Sequence, residues 1–589
     1  LDPGFFPGTG TPEAGGVSFK ELMKAIQLVM TGNVVACDVM ELAPGLEIDL
    51  DVIPKKYEGL DGTELAISES QERMAVVLAP EDSEAFINAA RDENLEATVV
   101  ANVTDTNRLR MKWRGKYIVD ISREFLDTNG VEQYTDVYVK SPVEDRSYFR
   151  KQKYKELALK DKWISNLKSL NVCSQRGLVE RFDSTIGAGT ILMPLGGKYQ
   201  LTPAEGMAAK IPVPDRDTST ATLMTYGFNP EISEWSPFHG AVYAIVEAAA
   251  KITAMGGNYK SIRLTLQEYF ERLGTDPEKW GKPFAALLGA LYAQERIGIP
   301  AIGGKDSMSG TFESLSVPPT LTAFAVSVAN AEHVLSPEFK SAGSMVVLVP
   351  LCYDEDELPD FRQLEKNYTC IYNLVKQGRI KSAHSVRGGG IAEAISKMCF
   401  GNRIGFSFLP VAEQELFRPL YGSILLEIAA DEELPAMFGD IEYKLIGYTQ
   451  QDEMISVNGL SITLDEALQA WESPLESIFP TRTGDDGHKP ALVTYEKRSI
   501  KHPAVSIAAP RVFIPVFPGT NCEYDTARAF EKAGGKPDIM VIKNLTSGEI
   551  DESLREMARR ISSAQILMIP GGFSGGDEPD GSGKFIAAA

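Results

Sequence analysis

The sequence has few of the features that mark membrane, secreted or nucleic-acid-binding proteins. Its 589 residues contain no signal peptide and no run near the roughly 18 apolar residues that span a bilayer. Its six cysteines form no C-x-x-C pair, which argues against a cysteine-built zinc site and favours reduced thiols in the cytoplasm. A formal net charge of −22 argues against a nucleic-acid partner.

What the sequence does contain is an ordinary globular composition, with 43% hydrophobic and 24% charged residues. The length predicts roughly three to five domains. The order of strands and helices that follows Gly45 returns in the region around Ile424–Leu464, at an offset of about 345 residues, which indicates an internal duplication. A chance match of a short strand–helix pattern is the alternative. Ser18 to Met30 and the charged segment Lys151 to Asn171 are predicted to be helices, and Gly187 to Pro194 a strand.

The last part of the chain, from Val512 to Ile569, alternates strands with helices and therefore predicts a parallel sheet. A glycine-rich loop follows, and the backbone N–H groups of Gly571, Gly572 and Phe573 are candidates for an oxyanion hole. Cys522 follows the first of these strands and is interpreted as a packed or semi-exposed thiol rather than a nucleophile.

Two segments carry candidate nucleotide or metal chemistry. In GIPAIGGKDSMSG, glycines allow close backbone approach to a phosphate, Lys305 adds positive charge and Asp306 offers a hard oxygen to Mg²⁺; a tight turn is the alternative. Glu247 lies in an apolar helix, where a carboxylate must be paired, protonated or bound to metal. Lys251, four residues later, is its simplest partner.

Two further segments are candidates for ligand binding. ISESQERM, which includes Glu69, Ser70 and Gln71, can hydrogen-bond a polyhydroxylated substrate, or Ser68 and Gln71 can form a helix capping box. VRGGGIAEAI opens a helix with glycines and is a possible anion site.

Several long segments together carry a resemblance: DGTELAISESQERM, YGFNPEISEWSPFHGAVYAIVEAAAKI, LTLQEYFERLGTDPEKWGKP, GIPAIGGKDSMSGTFE and VFPGTNCEYDTARAFEKAGG. From about Gly45 onward the chain resembles the second half of the large, single-chain phosphoribosylformylglycinamidine synthases, the ATP- and glutamine-dependent amidotransferases of purine biosynthesis. The resemblance implies a multidomain α/β and α+β fold, in which a duplicated aminoimidazole ribonucleotide synthetase-like core precedes a truncated flavodoxin-like class I glutaminase domain.

The resemblance also implies domain boundaries. They are the tail of a first C-terminal subdomain (45–145), a second N-terminal or nucleotide subdomain (146–335), a second C-terminal subdomain (336–475), a linker (476–510) and the truncated glutaminase domain (511–589).

The resemblance implies roles for individual residues. Glu69, Ser70 and Gln71 match a segment that binds formylglycinamide ribonucleotide. Gly304, Lys305 and Ser307 fall in a loop of an ATP/ADP site, and Glu247 and Asp306 match Mg²⁺ ligands there. In the large synthases this site is similar to an auxiliary site that holds a trapped nucleotide. Ser219 and Lys251 stand where some members carry a metal-binding Asp and an Asn, which puts Mg²⁺ in question.

The catalytic His and the glutaminase Cys of the family have no counterpart in this sequence, so no catalytic residue is assigned. The isolated chain is expected to be inactive without the N-terminal half of the synthase, which would supply the rest of the site. The expected ligands of the whole enzyme are formylglycinamide ribonucleotide and glutamine-derived ammonia, with no nucleic-acid and no membrane partner.

Residues 1–44 resemble a different family. LDPGFFPGTGTPEAGG followed by VVACDVMELAP is similar to the C-terminal part of an agmatinase or arginase, in which Glu41 would match the carboxylate that pairs with a guanidinium. The sequence is therefore interpreted as a chimera with a junction near Pro44–Gly45. Two alternatives stay open: a nucleotide-binding scaffold without catalysis, and a remnant of an agmatinase-like hydrolase.

Overall fold

The structure is a computed structural model that describes residues 27–31, 44–55, 59–68, 74–127, 134–143, 147–151, 154–213, 217–482, 491, 493–494 and 507–571. The chain divides into two compact units. One unit comprises residues 1–134 and 493–589, and the other comprises residues 135–492.

The first part of the chain forms a mixed six-stranded sheet with strand order β3-β1-β4-β2-β5-β6. Its core is built from Leu46 and Ile48 on β2, Val100 and Val103 on β4, and Leu109 on β5. The elements are β1 (Gln27–Thr31), β2 (Gly45–Asp49), α1 (Gly62–Ile67), β3 (Met74–Leu78), α2 (Pro80–Asp92), β4 (Thr98–Thr104), β5 (Arg108–Trp113), β6 (Lys116–Ser122) and α3 (Arg123–Asp127).

Strand β1 corrects a prediction, because the sequence pattern assigned Gln27 to Met30 to a helix. In the structure β1 runs antiparallel to β3 and to β4, with a register shift between Leu28 and Val29. QLVMT is rich in residues that suit a strand, and pairing on both sides satisfies its backbone groups, so tertiary context overrides the helical pattern. Strands β1 and β2, on either side of the interpreted junction near Pro44–Gly45, both pair with β4 in one sheet.

The second unit begins with a five-stranded sheet of order β12-β11-β15-β10-β9. Helices cover one face of it. The elements are α4 (Leu159–Lys168), α5 (Arg176–Val179), β7 (Leu195–Gly196), β8 (Thr202–Pro203), β9 (Met207–Lys210), β10 (Thr220–Gly227), α6 (Pro230–Trp235), α7 (Pro237–Ala254), β11 (Arg263–Tyr269), α8 (Pro277–Ile297), β12 (Ala301–Lys305), β13 (Thr311–Phe312), β14 (Leu315–Ser316) and β15 (Thr320–Asn330).

A seven-stranded sheet of order β17-β19-β16-β20-β18-β21-β22 completes this unit. Its elements are β16 (Met345–Val349), α9 (Phe361–Lys376), β17 (Ser382–Ser385), α10 (Gly390–Phe400), β18 (Gly405–Phe408), α11 (Glu413–Leu416), β19 (Ile424–Ile428), α12 (Leu434–Phe438), β20 (Lys444–Gln450), β21 (Met454–Val457), β22 (Leu460–Thr463) and α13 (Leu464–Glu472).

The two mixed sheets share one topology, which supports the predicted duplication. Read from β19 onward, the seven-stranded sheet has the order β19-β16-β20-β18-β21-β22, which matches β3-β1-β4-β2-β5-β6 strand for strand. The pairings also agree: β2–β5 and β18–β21 are parallel, and the other corresponding pairs are antiparallel. A register shift interrupts β1–β4 and also β16–β20. Strand β1 thus occupies the place of β16.

Helix α7 lies at the centre of the second unit, and every residue of it from His239 to Ala254 is buried. It packs on β10 and β15 of one sheet and on β17 of the other, so its apolar surface on all sides is covered.

Two predictions in this unit are wrong. Gly187 to Pro194 holds no strand, because Gly187 adopts φ +75° in a short 3₁₀ turn, and the charged helix predicted from Lys151 is confined to α4.

The last segment forms a three-stranded parallel sheet of order β24-β23-β25, as predicted from its alternating pattern. Its elements are β23 (Arg511–Val516), α14 (Glu523–Lys532), β24 (Lys536–Val541), α15 (Ser547–Ser563) and β25 (Ile566–Leu567). Within the described part of the chain, every helix is too short or too polar to cross a bilayer.

Candidate functional site

The predicted phosphate loop is partly a strand. Gly303, Gly304 and Lys305 belong to β12, which runs parallel to β11. A Cβ on Gly304 would lie 2.5 Å from the carbonyl oxygen of Leu266, whereas a Cβ on Gly303 would meet open space. Gly304 is therefore required by close strand pairing, and Gly303 is free to approach a ligand.

Asp306 directly follows β12 and is exposed, as are Gly303, Gly304 and Lys305. The loop behind it is anchored, because the Phe270 N–H donates to the carbonyl of Ser307 at 2.9 Å and the Ser307 and Ser309 hydroxyls lie 2.9 Å apart. The structure thus places Asp306 and Ser307 in an anchored segment directly after β12, next to Lys305 at the end of that strand.

Glu268 is a residue at this turn that the sequence reasoning missed. It lies on β11 with its side chain on the buried face, it is 6% exposed, and its Oε1 has no hydrogen-bond partner. Burial, together with the nearby charge of Asp306, raises the pKa of Glu268 to about 7. The available signal was the period-2 alternation of LTLQEYF, which places Glu268 in phase with Leu264 and Leu266.

Glu247 does not face a free site, because Lys251 already neutralises it. The Lys251 Nζ lies 2.6 Å from Glu247 Oε1 and donates to the Tyr226 carbonyl at 2.7 Å. The ammonium also lies 4.5 Å from the centroid of the Tyr226 ring. Both charged side chains are buried. Glu247 therefore fits the ion pair that the sequence offered as its alternative.

The residues present do not fit a Mg²⁺ ion as the resemblance implied. Within the described ranges no group of three or more His, Cys, Asp and Glu side chains could hold a metal. The described contact of Ser219 is made by its backbone carbonyl, which accepts from the Ala331 N–H at 2.7 Å. A buried ammonium at Lys251 also repels a divalent cation from Glu247.

A second buried charge network surrounds Glu205, which sequence reasoning also missed. Glu205 accepts a hydrogen bond from the Ser385 N–H at 3.2 Å and lies 3.3 Å from His384 and 3.4 Å from Arg387. Burial raises the pKa of Glu205, but the charges of His384, Arg387 and Lys251 outweigh it and leave the pKa lowered. Burial lowers the pKa of His384, an effect that the Glu205 carboxylate opposes.

The VRGGG segment does open helix α10, but its N-terminus is already occupied. Glu393 accepts from the Gly389 N–H at 2.9 Å and forms a buried ion pair with Lys397. Burial raises the pKa of Glu393, yet Lys397 and Arg387 dominate and bring it to about 2. An internal carboxylate thus takes the anion position that the sequence predicted for a ligand.

The predicted substrate segment Glu69–Gln71 lies outside the described residues, as do Glu41, Gly572 and Phe573. Ser68 is the C-cap of α1, whose own capping box is formed by Asp61 and Glu64; Gln71, the other member of the capping-box alternative, lies outside the described residues. Of the oxyanion-hole candidates only Gly571 is described, and its carbonyl accepts from the Asn521 N–H at 2.8 Å. Cys522 is exposed, at the N-cap of α14 with φ +68°.

Three family models match the chain. The CobB/CobQ-like glutamine amidotransferase domain matches residues 509–589, and the C-terminal domain of AIR synthase related proteins matches residues 30–114. The arginase family matches residues 1–52. The last two matches overlap across the strand β1 to β2 region, where the structure joins both segments in one sheet.

Curated relatives and solved structures extend the likeness over the synthase core. The phosphoribosylformylglycinamidine synthase subunit PurL of Thermoplasma volcanium is 25% identical over 74% of this chain and 60% of its own length. The Thermus thermophilus subunit is 24% identical over 80% of this chain and 68% of its own length.

The structure of T. maritima PurL complexed with ATP has a TM-score of 0.52 at 18% identity, covering 73% of this chain and 71% of that one. The complex with FGAR has a TM-score of 0.52 at 20% identity, covering 73% and 62%. These structures share the fold, and the predicted multidomain architecture is confirmed. The chain spans about three-fifths of the length of its first curated relatives. The predicted resemblance is confirmed: the chain is homologous to phosphoribosylformylglycinamidine synthase subunit PurL over the synthase core, with a glutamine amidotransferase-like segment after it.

Proposed function

We propose that the chain serves the glutamine- and ATP-dependent ligase reaction that converts formylglycinamide ribonucleotide to its amidine. The observation that carries this proposal is the duplicated sheet topology, found in a chain similar to PurL subunits over three-quarters of its length. In that reaction ATP phosphorylates the amide oxygen of the substrate, and ammonia displaces the phosphate to form the amidine.

The proposed ligand contacts are divided between two segments. Glu69, Ser70 and Gln71 would hydrogen-bond the ribonucleotide, and relatives of this fold are known complexed with FGAR and with ATP. Gly304, Lys305 and Ser307 would hold the nucleotide. Lys305 would supply positive charge, and the hydrogen bond from the Phe270 N–H to the Ser307 carbonyl holds the backbone of the loop in place. Mg²⁺ would offset phosphate charge in such a site, but the described residues do not form its ligand set, so no step is assigned to it.

A specific observation supports a second candidate, a nucleotide-binding scaffold without turnover. The family-implied metal ligand Glu247 is neutralised by a buried lysine, so the charge that would organise phosphoryl transfer is replaced by a fixed ion pair. Such a site retains nucleotide for structural reasons. Glutamine-derived ammonia would then be consumed only by a complete ligase.

Calorimetric titration of the purified chain tests the proposal. Formylglycinamide ribonucleotide should bind, and Gln71→Ala should weaken its binding about tenfold or more, a loss of about 1.4 kcal/mol. The matched control Gln469→Ala, at an exposed position of α13, should not affect that binding. If the wild-type chain binds ADP but not the ribonucleotide, the ligase proposal fails and the scaffold is correct.

A coupled assay of phosphate release separates the two candidates further. The ligase predicts ADP and phosphate formation that depends on both the ribonucleotide and added ammonia, once the remainder of the synthase is supplied. The scaffold predicts that nucleotide stays bound through purification and is not turned over. Lys305→Gln should weaken ADP binding in both cases, because it removes the cation that offsets phosphate charge, and unchanged ADP affinity in this variant would remove the assignment of the loop.

A further inference from the structure

We infer that the second unit holds an anion site for a phosphorylated small molecule, separate from the Gly304–Ser307 loop. A cavity of about 570 Å³ is lined by a dense set of cations, which is unusual for a chain with a net charge of −22. Its volume falls in the range of small-molecule sites. Its lining residues are Phe149, Arg150, Lys151, Lys155, Lys162, Glu413, Gln414, Glu415, Phe417, Arg418 and Pro419.

The lining of this basic cavity has more cations than carboxylates, so its positive charge is only partly neutralised by ion pairs within the lining. Five of the lining residues are cations and two are carboxylates. Glu413 pairs with Lys162, but Glu415 pairs at its surface with Lys444, outside the lining. Among the described residues, no carboxylate lies within ion-pair distance of Lys155 or Arg418. An anion of two or more charges is the ligand that offsets this surplus.

The cavity walls are held in place by packing. Phe149 contacts the Tyr243 ring with a centroid separation of 4.6 Å and the Tyr353 ring at 5.3 Å. Phe417 meets the buried Trp163 edge-on at 5.9 Å. The Arg150 Nε lies 2.7 Å from Glu357, a largely buried carboxylate. The aromatic residues next to Arg150 and Arg418 in the chain are therefore packed in place, which reduces the entropy that this part of the lining loses when a ligand binds.

The internal duplication gives an independent reason to expect a ligand at this place. In the first sheet the chain runs from β2 through the short helix α1 to β3, and the predicted substrate residues Glu69 to Gln71 fall between α1 and β3 in the sequence. In the second sheet it runs from β18 through the short helix α11 and a loop to β19. Phe417, Arg418 and Pro419 lie in this second loop. These three lining residues of the basic cavity therefore fall between α11 and β19, the place in the second repeat that corresponds to the segment between α1 and β3 in the first.

The chemistry of the lining favours a phosphate monoester or a short polyphosphate. Arginine and lysine both bind phosphate oxygens, arginine with two parallel donors. The two aromatic walls offer faces against which a sugar or base can pack. This inference rests on the geometry and charge of the cavity; the added support from the repeat rests on the proposed function, because it uses the proposed substrate residues Glu69 to Gln71.

Titration calorimetry on the full chain tests the site with inorganic pyrophosphate and with ribose 5-phosphate as probes. The double variant Lys155→Gln/Arg418→Gln should weaken binding of the preferred probe by about tenfold or more. Lys198→Gln removes an exposed cation outside the cavity and is the matched control, with unchanged affinity expected. Glu415→Gln should act in the opposite direction and tighten binding severalfold, a change that misfolding cannot mimic.

The two probes identify the source of the phosphate. Tighter binding of ribose 5-phosphate assigns the cavity to a phosphosugar, and tighter binding of pyrophosphate assigns it to a polyphosphate. Lys305→Gln, in the nucleotide loop, should leave the affinity of the cavity unchanged, so failure of the nucleotide loop is distinguishable from failure of this site. Absence of binding at millimolar concentration, equal binding by the double variant, or loss of binding in Lys305→Gln would overturn the inference.

Discussion

Lys251 and Glu247 form a buried ion pair one helical turn apart on α7, with 2.6 Å between Nζ and Oε1. The lysine is held on its other side by the Tyr226 carbonyl. Because the Lys251 ammonium neutralises the Glu247 carboxylate, this carboxylate at the centre of the second unit is not available to bind a metal cation.

Removing one partner of this pair should be costly, whereas replacing both should not. Lys251→Met leaves Glu247 buried without a counter-ion, and we expect a loss of roughly 3–5 kcal/mol in the free energy of unfolding. The double variant Glu247→Gln/Lys251→Met should recover most of that loss. Urea denaturation followed by tryptophan fluorescence measures both. Equal destabilisation by the single and double variants would show that the pair itself does not carry the effect.

Glu268 should make stability depend on pH in the opposite sense to an ordinary ion-paired carboxylate. Its pKa is about 7 in the folded chain because of burial and the charge of Asp306, so the folded state keeps a proton that the unfolded state has lost. The free energy of unfolding should therefore fall as pH rises from about 4.5 to 7, and stay low above that.

Glu268→Gln removes this titration and should stabilise the chain at pH 8 by about 1 kcal/mol, discounted for the partial solvation of the group. The stability difference between variant and wild type should vanish near pH 4. Thermal unfolding across that range measures it, with Gln267→Glu as a control that adds a carboxyl on the neighbouring position of β11. A difference that persists unchanged at pH 4 would contradict the pKa of Glu268.

Gly303 and Gly304 provide a matched pair for the β12 turn. Gly304→Ala places a Cβ 2.5 Å from the Leu266 carbonyl and should separate β12 from β11, with a loss of about 1–3 kcal/mol. Gly303→Ala meets open space and should change stability by less than about 0.5 kcal/mol. Differential scanning calorimetry compares them. If ADP binding is lost in Gly304→Ala but kept in Gly303→Ala, the strand geometry positions the nucleotide.

The sequence was sufficient to predict the duplicated order of elements and the parallel C-terminal sheet, because periodicity and turn residues act locally. It was not sufficient for Gln27–Thr31, where pairing with β3 and β4 outweighs a helical pattern. It also missed Glu205 and Glu268, because a buried carboxylate is recognised only once its neighbours are known. Glu247 is a further example, because the sequence around it did not decide whether a lysine or a metal ion would neutralise the carboxylate.

Strand β1 should be required for the first sheet and dispensable for the second unit. Deleting residues 1–43 removes the strand between β3 and β4, which leaves the backbone groups of both without their partners. Hydrogen–deuterium exchange should then show loss of protection in Met74–Leu78 and Thr98–Asn102. The matched strands β16 and β19 should keep their protection, since they belong to the other compact unit. Unchanged protection of β3 and β4 would show that β1 contributes nothing to the sheet, and that the first 43 residues are a separate appendage after all.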